Sequence, residues 1–398
     1  MMISRTFFTH HWLRRCVALV VTLLAQLSLL HASPVGGQIP VETNNLPQQR
    51  PDVAYDTLAS RYLVVYSEGV GAGQEIFAKL FRDNGTLLAG PVNISAHAGQ
   101  PDDQPAVAFK AATNEYLVVW RYGVAGGNDI YARRVNSNGV PVGAPFPVSS
   151  TPADEGQPDV AADPLSNGLF LVAWHEVPTA SNRGQFLTNA GALVGPSFQL
   201  FTVTRTMPRL SYGDSGIANY FVATTIDANT RVLARRVASG PALGPIMVVN
   251  ATPAVMSPDR DAPVAFHRSV GRFLIAYIAQ GANQIRGRFL DVAPNPVLAE
   301  VLIVPVGGVV RSLDVASGFD TNLQPRFIVS FDRLGDIFCV PLNGIAVVGP
   351  QEPINVDGVD NDSQPAVTFG RAPLDFFTVW QHAGPASPDI LGQRHELP

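Results

Sequence analysis

The sequence predicts an all-β fold, a seven-bladed β-propeller of four-stranded blades, and three observations carry that expectation. First, a strand-like run recurs seven times, as RPDVAYD, QPAVAFK, QPDVAAD, MPRLSYG, APVAFHR, SLDVASG and QPAVTFG. Its central apolar residues, Val53, Val107, Val160, Leu210, Val264, Val315 and Val367, step by 54, 53, 50, 54, 51 and 52 residues. Four short strands repeated at such a period build propeller blades. Second, no stretch beyond the N-terminal segment sustains helical periodicity. Third, the last unit stops one strand short, and the first unit has one strand to spare.

The N-terminal segment reads as a signal peptide, residues 1–32. Arg5, Arg14 and Arg15 form a basic region, the apolar run from Cys16 to Leu30 follows, and HASPVGG supplies small residues for cleavage after Ala32. The run is short for a membrane span, and Cys16, directly behind two arginines, is not set in a lipobox. The propeller is expected over residues 33–398, with blades starting near 51, 104, 157, 207, 262, 312 and 364. Six or eight blades would follow from a miscounted unit, and a β-helix or a string of separate sandwiches fits the ends of the chain less well.

Within each unit the second strand is aromatic and β-branched: YLVVY, YLVVW, LFLVAW, YFVATT, RFLIAY, RFIVSF and FFTVW. Such runs suit strands buried on both faces. Third strands read IFAKLF, IYARRV, VLARRV, IRGRFL, IFCVPL and ILGQRH, with no clear candidate in the third unit. Fourth strands follow a Gly-Pro-like step, as in GPVNIS or GPIMVV. The strand missing at the C-terminus is expected from residues 37–43, paired beside 389–395, which would close the ring and remove an open edge.

The units resemble those of bacterial secreted β-propeller repeat proteins: Q-P-x-V-A, then Y-L-V-V-W, then D-I-Y-x-x-R-V-x-x-x-G. The likeness covers residues 37–398, is best in QPAVAFKAATNEYLVVWRYGVAGGNDIYARRV, and is poorest at MPRLSYG and SLDVASG. It implies an exported propeller and carries no agreed chemistry, so no catalytic residue transfers.

Charged residues are only 15% of the chain, against roughly 25% in an average soluble protein. Three of the 27 basic residues leave with the signal and none of the 32 acidic ones does, so the mature chain is mildly acidic. That argues against nucleic acid or an anionic membrane as partner. Cys339 is the only cysteine after the signal, so no intrachain disulfide helps to hold this exported chain. It stands where other units place Ala78, Ala132, Ala234, Gly287 and Gly392, a slot that should accept only small side chains.

Candidate functional residues lie on the face that carries the second-to-third-strand loops. Trp120, Trp174 and Trp380 end the second strand, where Tyr66, Tyr277 and Phe331 stand in other units; this periodic placement favours wedges between blades over sugar-stacking platforms. Just beyond that slot the units differ, giving ligand-face candidates Glu68, Arg121, Tyr122, His175, Glu176, Asp332, Arg333, Gln381 and His382. Acids also crowd the connections. Among them Asp357, Asp360 and Asp362 are candidate Ca²⁺ ligands, although the EF-hand order is absent and a solvated turn is the simpler reading. No nucleophile elbow, zinc-binding pair or phosphate loop is present. The expectation is a secreted, monomeric, non-enzymatic module that binds an extracellular glycan or protein, with no membrane span after signal cleavage and no cofactor other than a candidate Ca²⁺. The alternative is a hydrolase or lyase acting on polysaccharide, with carboxylates converging at the channel mouth.

Overall fold

The computed structural model describes residues 32–397, apart from 98, 125, 178, 203–206, 215–218, 241, 255–260, 280–283, 292–295, 297–298, 306, 356–360, 371–373 and 384–386. The signal segment and two of the candidate Ca²⁺ ligands, Asp357 and Asp360, therefore lie outside the described residues. The strands form seven four-stranded antiparallel sheets. In six blades the order follows the sequence, as in Gln48–Asp56, Arg61–Glu68, Glu75–Arg82 and Leu87–Asn93 of blade one. Among the described residues one helical turn, Gly71–Gly73, interrupts the pattern.

Closure follows the expected route. The seventh blade runs Ser363–Gly370, Asp375–Ala383, Pro388–Glu396, and its fourth strand is Ser33–Glu42 from the other end of the chain. The pairing sets Ser33 against Glu396, Ile39 against Gly392 and Glu42 against Ile390. Val41 is fully buried between Val53 and Tyr66 of blade one and Val379 and Ile390 of blade seven.

The second strands are the buried centre of every blade, as their unbroken apolar composition requires. Leu63–Tyr66, Val118–Trp120, Leu171–Trp174 and Phe327–Val329 are at most 1% exposed. The wedge residues Tyr66, Trp120, Trp174, Tyr277, Phe331 and Trp380 are all at 0% exposure, which excludes them as stacking platforms. Blade three has the third strand that the sequence hid, Ser181–Leu187, with polar Ser181, Asn182 and Gln185 buried.

The small-residue slot is real. Ala78, Ala132, Gly184, Ala234, Gly287, Cys339 and Gly392 each pair across the ladder with the second strand. A methyl group added at Gly287 would come within 2.7 Å of Ile303, and one at Gly392 within 2.8 Å of Phe377. Cys339 is 1% exposed, and burial raises its thiol pKa well above the ordinary range. Cys339→Ala should therefore fold normally, whereas Cys339→Leu should lose about 1–3 kcal/mol to overpacking in denaturant melts. A bulky thiol reagent should label the native protein only after denaturant is added; rapid native labelling would contradict this packing.

Candidate functional site

The first strands line the central channel, and their opening residues decide what its mouth contains. Aligned on the repeat, position one is Arg50, Gln104, Gln157, Met207, Asp261, Ser312 or Gln364. All seven line one funnel with about 110 Å³ of room for solvent. Proline occupies position two in five blades (Pro51, Pro105, Pro158, Pro208 and Pro365). In four blades the ladder slips at this point, between Gln49 and Asp52, Asp103 and Ala106, Gly156 and Asp159, and Ser363 and Ala366. A residue at a bulge has no ladder partner, so proline forfeits nothing there. The bulge also holds Arg50, Gln104, Gln157 and Gln364 at φ of 53–56°, a left-handed conformation that costs a non-glycine residue on the order of 1 kcal/mol.

Position three ties the ring together. Asp52 accepts the backbone N–H of Val107 in the next blade at 2.8 Å, Asp159 that of Leu210 at 2.7 Å, and Asp314 that of Val367 at 2.9 Å. Position one adds a second set of ties: Gln104 Oε1 accepts from Gln157 N at 2.6 Å, Ser312 Oγ from Gln364 N at 3.0 Å, and Gln364 Oε1 from Arg50 N at 3.2 Å. The repeated Q-P-x-V segment is thus partly an inter-blade latch.

At position three of blade four stands Arg209. Its Nη2 donates to Asp314 at 2.8 Å, and its Nε lies 3.3 Å from Asp261 and 3.8 Å from Asp159. Burial opposes the guanidinium charge, but Asp261, Asp159, Asp314 and Asp52 together more than offset it, so Arg209 titrates above its usual range. The carboxyls feel the same desolvation. Asp52 is pushed up to about 7 by burial, with Arg209 opposing and Asp314 and Asp159 adding. Asp261 is raised to about 6 by burial, again against Arg209, and burial raises Asp159 and Asp314 too.

A pH dependence follows. Because its pKa rises on folding, Asp52 stabilises the native state in full below about pH 4, and that contribution is lost as pH rises through about 7. Asp52→Asn should remove this term, so the variant should gain thermal midpoint relative to the parent between about pH 5 and pH 8. Parallel melting curves across that window would refute the assignment.

Of the nine ligand-face candidates, Glu68, His175, Glu176 and Asp332 are buried and the other five are half-buried. Glu68 is buried and accepts Asn44 Nδ2 at 2.8 Å and Gln48 Nε2 at 3.3 Å. Arg121 makes a bidentate pair with Asp103 at 2.6 and 2.5 Å. Tyr122 is sandwiched between Tyr131 and His97, with ring centroids 3.9 and 4.1 Å away. His175 Nδ1 lies 3.1 Å from Asn182 Oδ1, and Glu176 accepts from Thr179 at 2.6 Å and pairs with Arg183. Asp332 accepts the backbone N–H groups of Arg311 and Ser312 at 2.9 and 2.6 Å, which anchors the entry to blade six. Arg333 donates to Gly307 O and to Gln351 Oε1. Gln381 is half-buried in the ladder opposite Ser363 and Ile390. His382 Nδ1 lies 2.7 Å from Asp362 Oδ1. Asp362 is fully buried and also accepts from Asn355 Nδ2. Among the described residues, no group of three His, Cys, Asp or Glu side chains is placed to hold a metal ion.

The sequence reading missed the channel set, Arg50, Asp52, Gln104, Gln157, Arg209, Asp314 and Gln364. One signal was present: position three carries Asp, Asp, Arg and Asp in units one, three, four and six, where the units starting QPAV have Ala.

No protein-family model matches the chain, and no curated protein matches it. Solved structures do share its fold. The BP39L lectin of Burkholderia pseudomallei is 15% identical with a TM-score of 0.58, covering 87% of this chain and 95% of its own. A Dyadobacter fermentans protein of unknown function is 12% identical at TM-score 0.53, over 93% of this chain and 100% of its own. The hemagglutinin-neuraminidase ectodomain of parainfluenza virus 5 is 8% identical at TM-score 0.52, over 97% and 95%. At such identities the likeness concerns the propeller alone.

Proposed function

We propose that this chain is an exported, non-enzymatic propeller that binds an extracellular glycan at the channel mouth. The observation that carries the reading is the gathering of seven position-one side chains, all but one polar, around one funnel. Gln104 and Gln364 use Oε1 for the latch, and each leaves Nε2 without a partner among the described residues. A preformed concave surface with a few fixed polar groups suits a hydroxyl-rich ligand. Two of the fold relatives, a lectin and a hemagglutinin-neuraminidase, are in line with a glycan ligand.

Against hydrolysis stands the use already made of the carboxylates. Asp52, Asp159 and Asp314 each hold the next blade through backbone N–H groups, and Asp159, Asp261 and Asp314 surround Arg209. The test is a glycan and polymer array with the mature protein, with and without Ca²⁺ because Asp357, Asp360 and Asp362 remain its candidate ligands. Binding that survives in the parent but falls at least about tenfold in Gln104→Ala/Gln364→Ala, at a temperature well below the variant's own cooperative melt, supports the site. Turnover of bound saccharide would establish the hydrolase or lyase instead, and capture of proteins with no saccharide bound would overturn the glycan reading.

A further inference from the structure

Resting on that reading, we propose that the mouth selects amine-bearing glycans, such as oligosaccharides of unacetylated amino sugars, over neutral and carboxylated ones. Charge at the funnel has an uneven ownership. Two bases line the funnel, Arg50 and Arg209, and Arg209 is already held by Asp314, Asp261 and Asp159. A sugar carboxylate drawn to Arg209 would have to compete with three protein carboxylates for its guanidinium. Asp52 is in the opposite position. It lines the funnel, accepts only the backbone N–H groups of Val53 and Val107, and has no ion pair within 4 Å among the described residues.

The groups facing Asp52 are Arg209, Asp314 and Asp159, with Arg50 and Asp261 also on the funnel wall. Where these four carboxyls are ionised they outnumber the two guanidiniums, so an entering cation then meets a net attraction. An ammonium at Asp52 would replace the solvation the carboxylate lost on burial, and its two remaining lone-pair directions can accept it. The neighbouring Gln104 and Gln364 amides can then hold ring hydroxyls. Binding and titration are coupled: a cation seated at Asp52 favours its ionised form, so uptake of the ligand near pH 6–7 should expel a proton from the site.

The experiment compares glucosamine oligomers, their fully N-acetylated counterparts and uronic-acid oligomers by calorimetry at low and moderate salt. The expected result is a preference of about tenfold or more for the free amine, weakening with salt. Asp52→Asn should bring that preference close to unity, read as the ratio of the free-amine and acetylated affinities within the variant, whatever their absolute values. Calorimetry in two buffers of different ionisation heat should show proton release with the parent protein that shrinks in Asp52→Asn. Equal affinity for free and acetylated oligomers, or a preference for uronic acids, would overturn this inference and leave the glycan site standing. Failure to bind any of the three would overturn both.

Discussion

Deleting residues 33–42 is expected to produce the largest loss of stability of any short truncation in this protein. The strand Ser33–Glu42 is the outer edge of the seventh blade and, among the described residues, the only partner of Pro388–Glu396 on the side away from Asp375–Ala383. Its removal strips Val41 and Ile39 from the junction of blades seven and one. It also removes Glu42, which accepts from Tyr66 Oη at 3.0 Å and pairs with Lys79 Nζ at 3.0 Å. Two lost apolar side chains and two stranded polar groups together cost on the order of 5 kcal/mol or more. The bared edge is in addition a template for aggregation. Thermal melts with light scattering should show a midpoint lowered by more than about 10 °C and soluble aggregates. A truncated protein melting within about 2 °C of the parent would mean that the ring closes in another way.

Arg209→Met should be the most damaging single substitution in the channel, and its cost should depend on pH. Methionine keeps the aliphatic volume and removes the charge. Asp159, Asp261 and Asp314 are then left side by side without a cation; their side chains are only 14%, 9% and 11% exposed. Breaking a buried ion pair from one side costs about 3–5 kcal/mol, and the solvent at the mouth reduces this to about 2–4 kcal/mol near pH 8. Without Arg209 the three carboxyl pKa values rise further on folding. The folded state then takes up protons that the unfolded chain accepts only near pH 4, so the deficit should shrink as pH falls from about 8 to 5. Denaturant melts at both pH values test this. An equal deficit at both would show that Arg209 acts by packing alone.

Much of the scaffold was legible because it depends on local pattern and on period. Aromatic and β-branched runs such as YLVVW can be buried only as central strands, and the 52-residue repeat leaves little freedom for another architecture. Even the slot at Cys339 could be read, because six legible copies of one strand sample the same packing environment. The third strand of blade three escaped, since SNRGQFL offers no apolar alternation and is buried through the hydrogen bonds of Asn182 and Gln185.

The candidate site was legible as a face and not as a set of residues. Glu68, Arg121, His175, Asp332 and His382 were singled out because they vary on a constant frame. Variation shows that a side chain is not part of the repeated core; it does not show which way the side chain is used. Their partners lie in connections that the repeat alignment skips, as Arg311 and Ser312 do for Asp332.

By itself the sequence determined the number of blades, the strand order within each and the closure through both termini, because these follow from periodic hydrophobic burial along the chain. Only the tertiary structure decided that Asp52, Asp159, Arg209, Asp261 and Asp314 form one charged cluster. Those residues are separated by 50 or more positions; Asp52, Asp159, Arg209 and Asp314 each read alone as one polar residue beside a valine, leucine or proline, and Asp261 as one acid of a charged connection. The seven-fold ring brings the starts of all the first strands to a single axis. There, burial and mutual proximity turn five ordinary side chains into a coupled site.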